Sequence, residues 1–172
     1  MNKVWQRNII RAIIILLIQL VLLKRIDITF GEFNYIHFTI YPLIIALLPY
    51  KMNKTLLVVV GFSLGFFVDL FYDSIGVHAF TTTFIAYMRI YVLNLLSPTE
   101  GYGKTGLTSF SYGIPWFLSY IGILLFMHLF LLYSLEAFSF IYIKEILLRT
   151  IFSFMASLFL LTVGQLIFNP KY

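Results

Sequence analysis

Residues 61–91 read GFSLGFFVDLFYDSIGVHAFTTTFIAYMRIY, and this stretch decides the fold. It is almost entirely apolar, although it carries several of the few charged side chains in the chain. Four residues recur at every fourth position and therefore share one face of a helix: Gly61, Gly65, Asp69 and Asp73. Glycines at this spacing allow a second helix to approach closely. We therefore expect two helices in close contact, with carboxylates on the contacting face.

A short turn follows this helix and reverses the chain. Gly76 lies in the turn, and His78 begins a second apolar run that contains Arg89. An unpaired charge inside a bilayer costs at least about 2.5–3.5 kcal/mol, so such side chains normally face the bundle interior and pair. We therefore predict a buried ion pair between Asp69 and Arg89 that fixes the register of the two helices. The alternative, which does not exclude the first, is that the acidic face lines a cavity or a partner surface.

The composition is typical of an integral membrane protein. The 172 residues are 61% hydrophobic and 11% charged, whereas a soluble domain has about 25% charged residues. Because the chain has no cysteine, it can form neither disulfides nor cysteine-based metal sites. Its net charge of +5 is explained by residues that flank membrane spans, since no basic patch interleaved with exposed aromatics suggests nucleic-acid binding.

Six apolar segments have about the length that a bilayer requires, roughly 17–25 residues. The first is not a signal peptide in our interpretation, because no small-residue cleavage site follows it. The second is the weakest, since Pro42 and Pro49 bracket its core and leave a kinked, tilted or partly re-entrant course open. We predict an all-α integral membrane protein, with one domain over residues 1–172 and about six transmembrane helices at approximately 6–23, 36–50, 55–72, 79–97, 111–134 and 146–168.

The distribution of Lys and Arg predicts the orientation of these spans, because cytoplasmic loops carry an excess of basic residues. Seven basic residues lie on the side of the two termini: Lys3, Arg7, Arg11, Lys51, Lys54, Lys104 and Lys171. Four lie on the other side: Lys24, Arg25, Lys144 and Arg149. We therefore expect both termini in the cytoplasm.

The sequence offers few candidates for chemistry. Residues 61–65 match the G-x-S-x-G nucleophile elbow, which needs a strand, a sharp turn and a helix, whereas the flanks here are continuous apolar helix. His128 is the candidate partner for Ser63, but the two are predicted at different depths, so we interpret Ser63 as a helix-packing residue. Asp73 and His78 could supply two metal ligands, yet no third ligand lies nearby. We therefore prefer the interpretation that these two residues cap the turn and start the next helix. We predict no catalytic, cofactor or metal site and no enzymatic activity.

A combined pattern covers residues 42–91. It consists of two prolines, the motif G-x-x-x-G-x-x-x-D, the motif D-S-x-G-V-H-A-F and a polar-aromatic helix that ends at Ala86-Tyr87. This pattern resembles the rod shape-determining protein MreD family, and the chain length and six spans are similar as well. The helix-packing or partner face would comprise Gly61, Gly65, Asp69, Asp73, Gly76, His78, Tyr87 and Arg89.

The resemblance implies a non-enzymatic component of the bacterial inner membrane. Members of this family scaffold the cell-elongation machinery together with MreC, the actin-like MreB and the RodA–transpeptidase pair that synthesises peptidoglycan. The family is also similar to the substrate-binding S components of energy-coupling-factor vitamin transporters, which share a six-helix fold. An S component would dock through an A-x-x-x-A pattern in the first span. Here that span has a single alanine, Ala12, which favours the scaffold over the transporter.

Overall fold

The computed structural model describes residues 3–30, 33–99, 101–102, 107 and 112–168. These residues form a helical bundle with one small β-hairpin. The helices are α1 (Lys3–Leu17), α2 (Pro42–Ala46), α3 (Lys54–Tyr72), α4 (Val77–Leu95), α5 (Ile114–Ala137) and α6 (Ile143–Phe168). A π-helical segment (Ile18–Leu22) and a 3₁₀ turn (Leu23–Arg25) extend α1, and a 3₁₀ turn (Phe140–Tyr142) precedes α6.

Among the described residues, three helices are long and apolar enough to cross a membrane: Lys54–Tyr72, Ile114–Ala137 and Ile143–Gln165. They coincide with the third, fifth and sixth predicted spans, so the predicted helical class is confirmed, and the length and composition of these helices are those of a membrane protein. α4 is as long as α3, with 19 residues in each helix. It is less apolar because it contains three consecutive threonines and Arg89.

Local signals fix the ends of α3. Asn53 precedes the helix, and its side chain accepts a hydrogen bond from the backbone N–H of Thr55 at 3.0 Å, as N-cap residues do. At the other end, Asp73 adopts a left-handed conformation with φ of 52°. Its N–H donates to the carbonyl of Asp69, which satisfies one carbonyl of the last turn.

The second predicted span, 36–50, is not a transmembrane helix. Its only helix is α2, whose five residues are all buried and which is about 7.5 Å long. Pro42 occupies the first helical position, where its missing N–H removes no hydrogen bond. Pro49 lies just beyond the helix. The two prolines therefore restrict the helix to the residues between them, and the prediction of a helical span here is wrong.

Residues 38–53, which we call the central segment, run from one end of the bundle to the other. At the first end, Lys24 Nζ donates to the carbonyl of Phe71, so the extension of α1 lies beside the end of α3. At the opposite end, the ring of Tyr50 lies 4.7 Å from that of Tyr102, whose hydroxyl donates to Leu93 O near the end of α4. We call these the hairpin end and the loop end.

An antiparallel β-hairpin joins the extension of α1 to the central segment. Its strands are β1 (Asp27–Phe30) and β2 (Phe33–His37), and Asp27 pairs with His37 at its open end. This hairpin was not predicted from the sequence. It returns the chain to the bundle at the point where the central segment begins.

Candidate functional site: a buried polar network

The backbones of α3 and α4 approach each other directly at two glycines. A Cβ atom at Gly65 would collide with the carbonyl oxygen of His78 and would lie 2.5 Å from the Cα of Ala79. A Cβ atom at Gly61 would lie 2.7 Å from the Cβ of Ala86. No residue larger than glycine fits at either position without moving α4. The glycine spacing in the sequence therefore marks a contact inside the fold.

Asp69 caps the first turn of α4. Its Oδ1 accepts hydrogen bonds from the backbone N–H of His78 at 3.0 Å and from the hydroxyl of Ser74 at 2.6 Å. Its Oδ2 accepts from the backbone N–H of Ala79 at 2.8 Å. The unpaired N–H groups at a helix N-terminus carry a partial positive charge that stabilises a carboxylate. The side chain is only 4% exposed, so it locks the α3–α4 turn from inside the bundle.

Asp73 and Gly76 belong to the turn itself. Asp73 is exposed, and its left-handed conformation ends α3 before this residue can join the face of Gly61 and Gly65. The prediction that it shares this face is therefore wrong. Gly76 has φ of 80°, a conformation that glycine adopts without steric cost, and it lies immediately before α4.

Arg89 is buried, at 1% exposure, but its partner is not Asp69. Its Nε donates to the hydroxyl of Tyr120 at 2.9 Å, and its Nη2 donates to the carbonyl of Leu48. The hydroxyl of Tyr120 in turn donates to the carbonyl of Ala46 at 2.9 Å. Arg89 and Tyr120 therefore bind the carbonyl groups at the end of α2, where a helix leaves them unpaired.

The predicted ion pair between Asp69 and Arg89 is therefore wrong. The two side chains lie on neighbouring helices, as expected, but at different levels. Asp69 lies beside the start of α4, whereas Arg89 is about three turns further along that helix. Each is satisfied by polar groups at its own level.

Tyr41 connects two buried histidines. Its hydroxyl lies 2.7 Å from Nδ1 of His78 and 2.6 Å from Nε2 of His128. The three side chains are 1%, 4% and 0% exposed, respectively. Because a tyrosine hydroxyl can donate one hydrogen bond and accept others, it can bond to one nitrogen of each ring, whereas Nδ1 of His128 has no partner among the described residues. His128 entered the sequence-based interpretation only as a candidate partner of Ser63, and nothing local to either histidine indicates the tyrosine.

Gln19 holds the beginning of the central segment. Its Nε2 donates to the carbonyl of Phe38 at 3.0 Å and to the hydroxyl of Tyr72 at 2.8 Å. Its Oε1 accepts from the backbone N–H of Ile40 at 2.8 Å. Gln19 lies in the π-helical segment that extends α1. Such segments occur often at functional sites.

Two serines of α6 hold the same stretch from the other side. Ser153 Oγ accepts from the backbone N–H of His37 at 3.0 Å, and Ser157 Oγ accepts from that of Thr39 at 2.8 Å. Irregular backbone at membrane depth is tolerated only where protein groups satisfy it. Side chains from the extension of α1 and from α4, α5 and α6 perform this role at the two ends of α2.

A cavity of about 210 Å³ adjoins the network at the hairpin end. Tyr41, Tyr72, His78 and Tyr133 contribute to its lining, together with Gln19. The cavity therefore has the size and the hydrogen-bonding groups to hold a small polar molecule.

Aromatic side chains close the loop end. The hydroxyl of Tyr102 donates to the carbonyl of Leu93 at 2.6 Å, and the indole of Trp116 donates to the carbonyl of Leu96 at 2.9 Å. These bonds satisfy carbonyl groups in the last turn of α4. Burial raises the pKa of Tyr102 to about 12, so its hydroxyl keeps its proton over the ordinary pH range.

Two further residues from the sequence analysis lie on the outer surface. The hydroxyl of Tyr87 is 2.9 Å from that of Tyr91, and both side chains are exposed. Ser63 is also exposed, and its hydroxyl donates to the carbonyl of Val59 in its own helix at 2.9 Å. Residues two apart lie on different faces of a helix. Ser63 therefore takes no part in the contact at Gly61 and Gly65, and the predicted packing role is wrong.

In the part of the chain that the structure describes, no group of three or more His, Asp and Glu side chains is placed to hold a metal ion. Asp73 is exposed, and His78 is bound to Tyr41. No protein-family model matches the chain, and no curated protein or solved structure matches it either.

Proposed function

We propose that this chain is a non-enzymatic scaffold of the bacterial inner membrane that serves the cell-elongation machinery. One observation carries the proposal: the buried charges and the motif glycines are used to hold the fold together. Asp69 caps α4, Arg89 binds the end of α2, and Gly65 sets the distance between α3 and α4. Polar groups arranged in this way favour a rigid platform over a reactive centre.

The proposal includes six crossings with both termini in the cytoplasm. Five crossings would be α1 with its extension, α3, α4, α5 and α6. The sixth would be the central segment, which connects the hairpin end to the loop end. Its satisfied backbone is what a non-helical crossing requires, since lipid offers no hydrogen-bonding groups.

The resemblance to the MreD family supplies the partners. MreC is the first candidate, and MreB and the RodA–transpeptidase pair are the others. Because α4 covers Gly61 and Gly65, we place the partner face on the outer surface of the α3–α4 pair. Tyr87 and Phe66 are about half exposed there. In a bilayer, exposed apolar side chains such as these can contact either lipid or a partner helix.

Depletion from a rod-shaped bacterium tests the proposal. We expect the cells to become round, and MreC should co-purify with the protein in mild detergent. Alanine at both Tyr87 and Phe66 should reduce the co-purified MreC, whereas alanine at Met155, an exposed residue of α6, should not. Cells that keep their rod shape after complete depletion would overturn the proposal.

The polar cavity at the hairpin end favours a second candidate function, that of a substrate-binding S component. A volume of about 210 Å³ with tyrosine and histidine side chains can hold a small organic molecule. Mass spectrometry of small molecules released from the purified protein distinguishes the two functions. A bound vitamin, together with lost vitamin uptake and unchanged cell shape on depletion, would favour the transporter.

A further inference from the structure

A second cavity lies between α1 and α6, beside the central segment. Its volume is about 270 Å³. Its walls are aliphatic and come from α1, the central segment and α6, with Ile18, Leu43 and Leu160 among them. Ile14 belongs to the same wall and is 47% exposed, so the cavity is a groove that opens at the surface of the bundle.

The shape of this groove fits a hydrocarbon chain. From Arg11 to Ile18, both of which line it, the groove follows α1 for about 10 Å. Its volume accommodates about nine groups of the size of a water molecule, and a methylene group is similar in size. An elongated apolar groove that opens toward the bilayer would be filled by a lipid acyl chain.

One end of the groove carries hydrogen-bond donors. Gln165 is 5% exposed, and its Nε2 has no hydrogen-bond partner among the described residues. Arg11 lines the groove beside it. A guanidinium group has five N–H donors in a planar arrangement that suits phosphate. The end near the chain termini therefore carries the guanidinium of Arg11, which has another interaction as well, and an amide donor without a partner among the described residues.

A neighbouring cavity of about 200 Å³ shares Arg11 with the groove. Asn8 lines this cavity, and its Oδ1 is buried without a partner among the described residues. This oxygen is an acceptor, so it can bind a hydroxyl group. Phosphate beside Arg11 and a hydroxyl beside Asn8 together match the head group of phosphatidylglycerol.

We propose that the groove binds an anionic phospholipid, with one acyl chain between α1 and α6 and its phosphate at Arg11 and Gln165. The aliphatic walls of the groove leave a space between α1 and α6. The bound acyl chain fills this space. This site is independent of the scaffold function, because it requires only that the chain lies in a membrane.

Gly164 provides the sharpest test. It lines the groove, and a Cβ atom built there has no atom within 4 Å. Gly164→Phe should therefore fill the groove without straining α6. Met155→Phe is the matched control, since Met155 lies on the same helix and is 64% exposed.

Native mass spectrometry of the detergent-purified proteins, titrated with phosphatidylglycerol or phosphatidylcholine, gives the readout. The wild type and Met155→Phe should bind one phosphatidylglycerol, and Gly164→Phe should bind it about tenfold more weakly or not at all. Arg11→Gln should keep the groove but reduce the preference for phosphatidylglycerol over phosphatidylcholine by about tenfold. Equal binding by Gly164→Phe and Met155→Phe, or no preference in the wild type, would overturn the proposal. Cell shape, which tests the scaffold function, does not enter this result.

Discussion

The carboxylate of Asp69 lies 3.0 Å from the backbone nitrogen of His78, nine residues further along the chain. Through this bond and the one to Ala79, the last turn of α3 caps the first turn of α4. The close approach at Gly65 makes the bond possible, because a bulkier residue would hold the two helices apart. The capping of α4 by Asp69 therefore depends on the close contact between α3 and α4.

Asp69→Asn should lower the free energy of unfolding by about 1.5–3 kcal/mol, the usual range for hydrogen bonds to a charged group. An asparagine keeps the shape but replaces one acceptor oxygen with a donor, which cannot accept from the backbone of α4. Thermal unfolding in detergent measures the loss. Asp73→Asn is the control, because that exposed residue keeps its left-handed conformation as asparagine. Equal losses for the two variants would contradict the capping role.

Gly65→Ala should destabilise the protein by about 1–3 kcal/mol, since the added methyl group forces α4 to shift. Gly164→Ala is the matched control: its methyl group meets open space, and alanine is favoured over glycine in a helix by about 0.5–1 kcal/mol. Ser63→Ala should have little effect, because its hydroxyl binds only its own helix. The order of melting temperatures tests all three expectations, and a tolerated Gly65→Ala would show that α3 and α4 separate easily.

A double-mutant cycle should find no coupling between Asp69 and Arg89. The two side chains have separate partners, so the losses caused by Asp69→Ala and Arg89→Ala should add to within about 0.5 kcal/mol. The pair Arg89→Ala and Tyr120→Phe should instead couple by about 0.5–3 kcal/mol, because Arg89 Nε donates to the Tyr120 hydroxyl. Strong coupling of Asp69 with Arg89 would restore the ion pair that the sequence suggests.

Tyr41→Phe should cost about 1–3 kcal/mol, because both His78 and His128 lose the hydroxyl that satisfies them in the interior. Tyr87→Phe removes a hydroxyl that bonds at an exposed position and should change the stability by less than about 0.5 kcal/mol. Chemical denaturation of the two variants in the same detergent compares them. A neutral Tyr41→Phe would mean that the histidines find other partners.

A topology reporter that is active only outside the cytoplasm should be silent when fused after Tyr172, which lies beyond the described residues. The same reporter inserted between β1 and β2 should be active, because an odd number of crossings separates the two sites. The Lys and Arg distribution motivates this expectation. Activity at both positions would show that the central segment does not cross.

The contact between α3 and α4 could be predicted because it follows from local geometry. Residues four apart share a helix face, and glycine lacks the side chain that would separate two backbones. The breaks in the second span could likewise be anticipated from Pro42 and Pro49. Both signals act within a few residues, which is the range over which sequence patterns are informative.

The polar network could not be predicted, because its partners meet only in the folded bundle. Tyr41 is 37 residues from His78 and 87 from His128, and no spacing rule relates them. The assumed pairing of Asp69 with Arg89 failed for a related reason. Opposite charges on adjacent helices suggest a pair, but the backbone groups at the start of α4 and the end of α2 satisfy them first.

The serines that hold the central segment also constrain the order in which the protein can be completed. The amide of His37 and the hydroxyl of Ser153 are 116 residues apart in the chain, and Thr39 and Ser157 are 118 apart. The ribosome has therefore synthesised all the intervening helices before these bonds can form. A chain truncated before α6 would therefore lack both serines, and the backbone N–H groups of His37 and Thr39 would lose these partners.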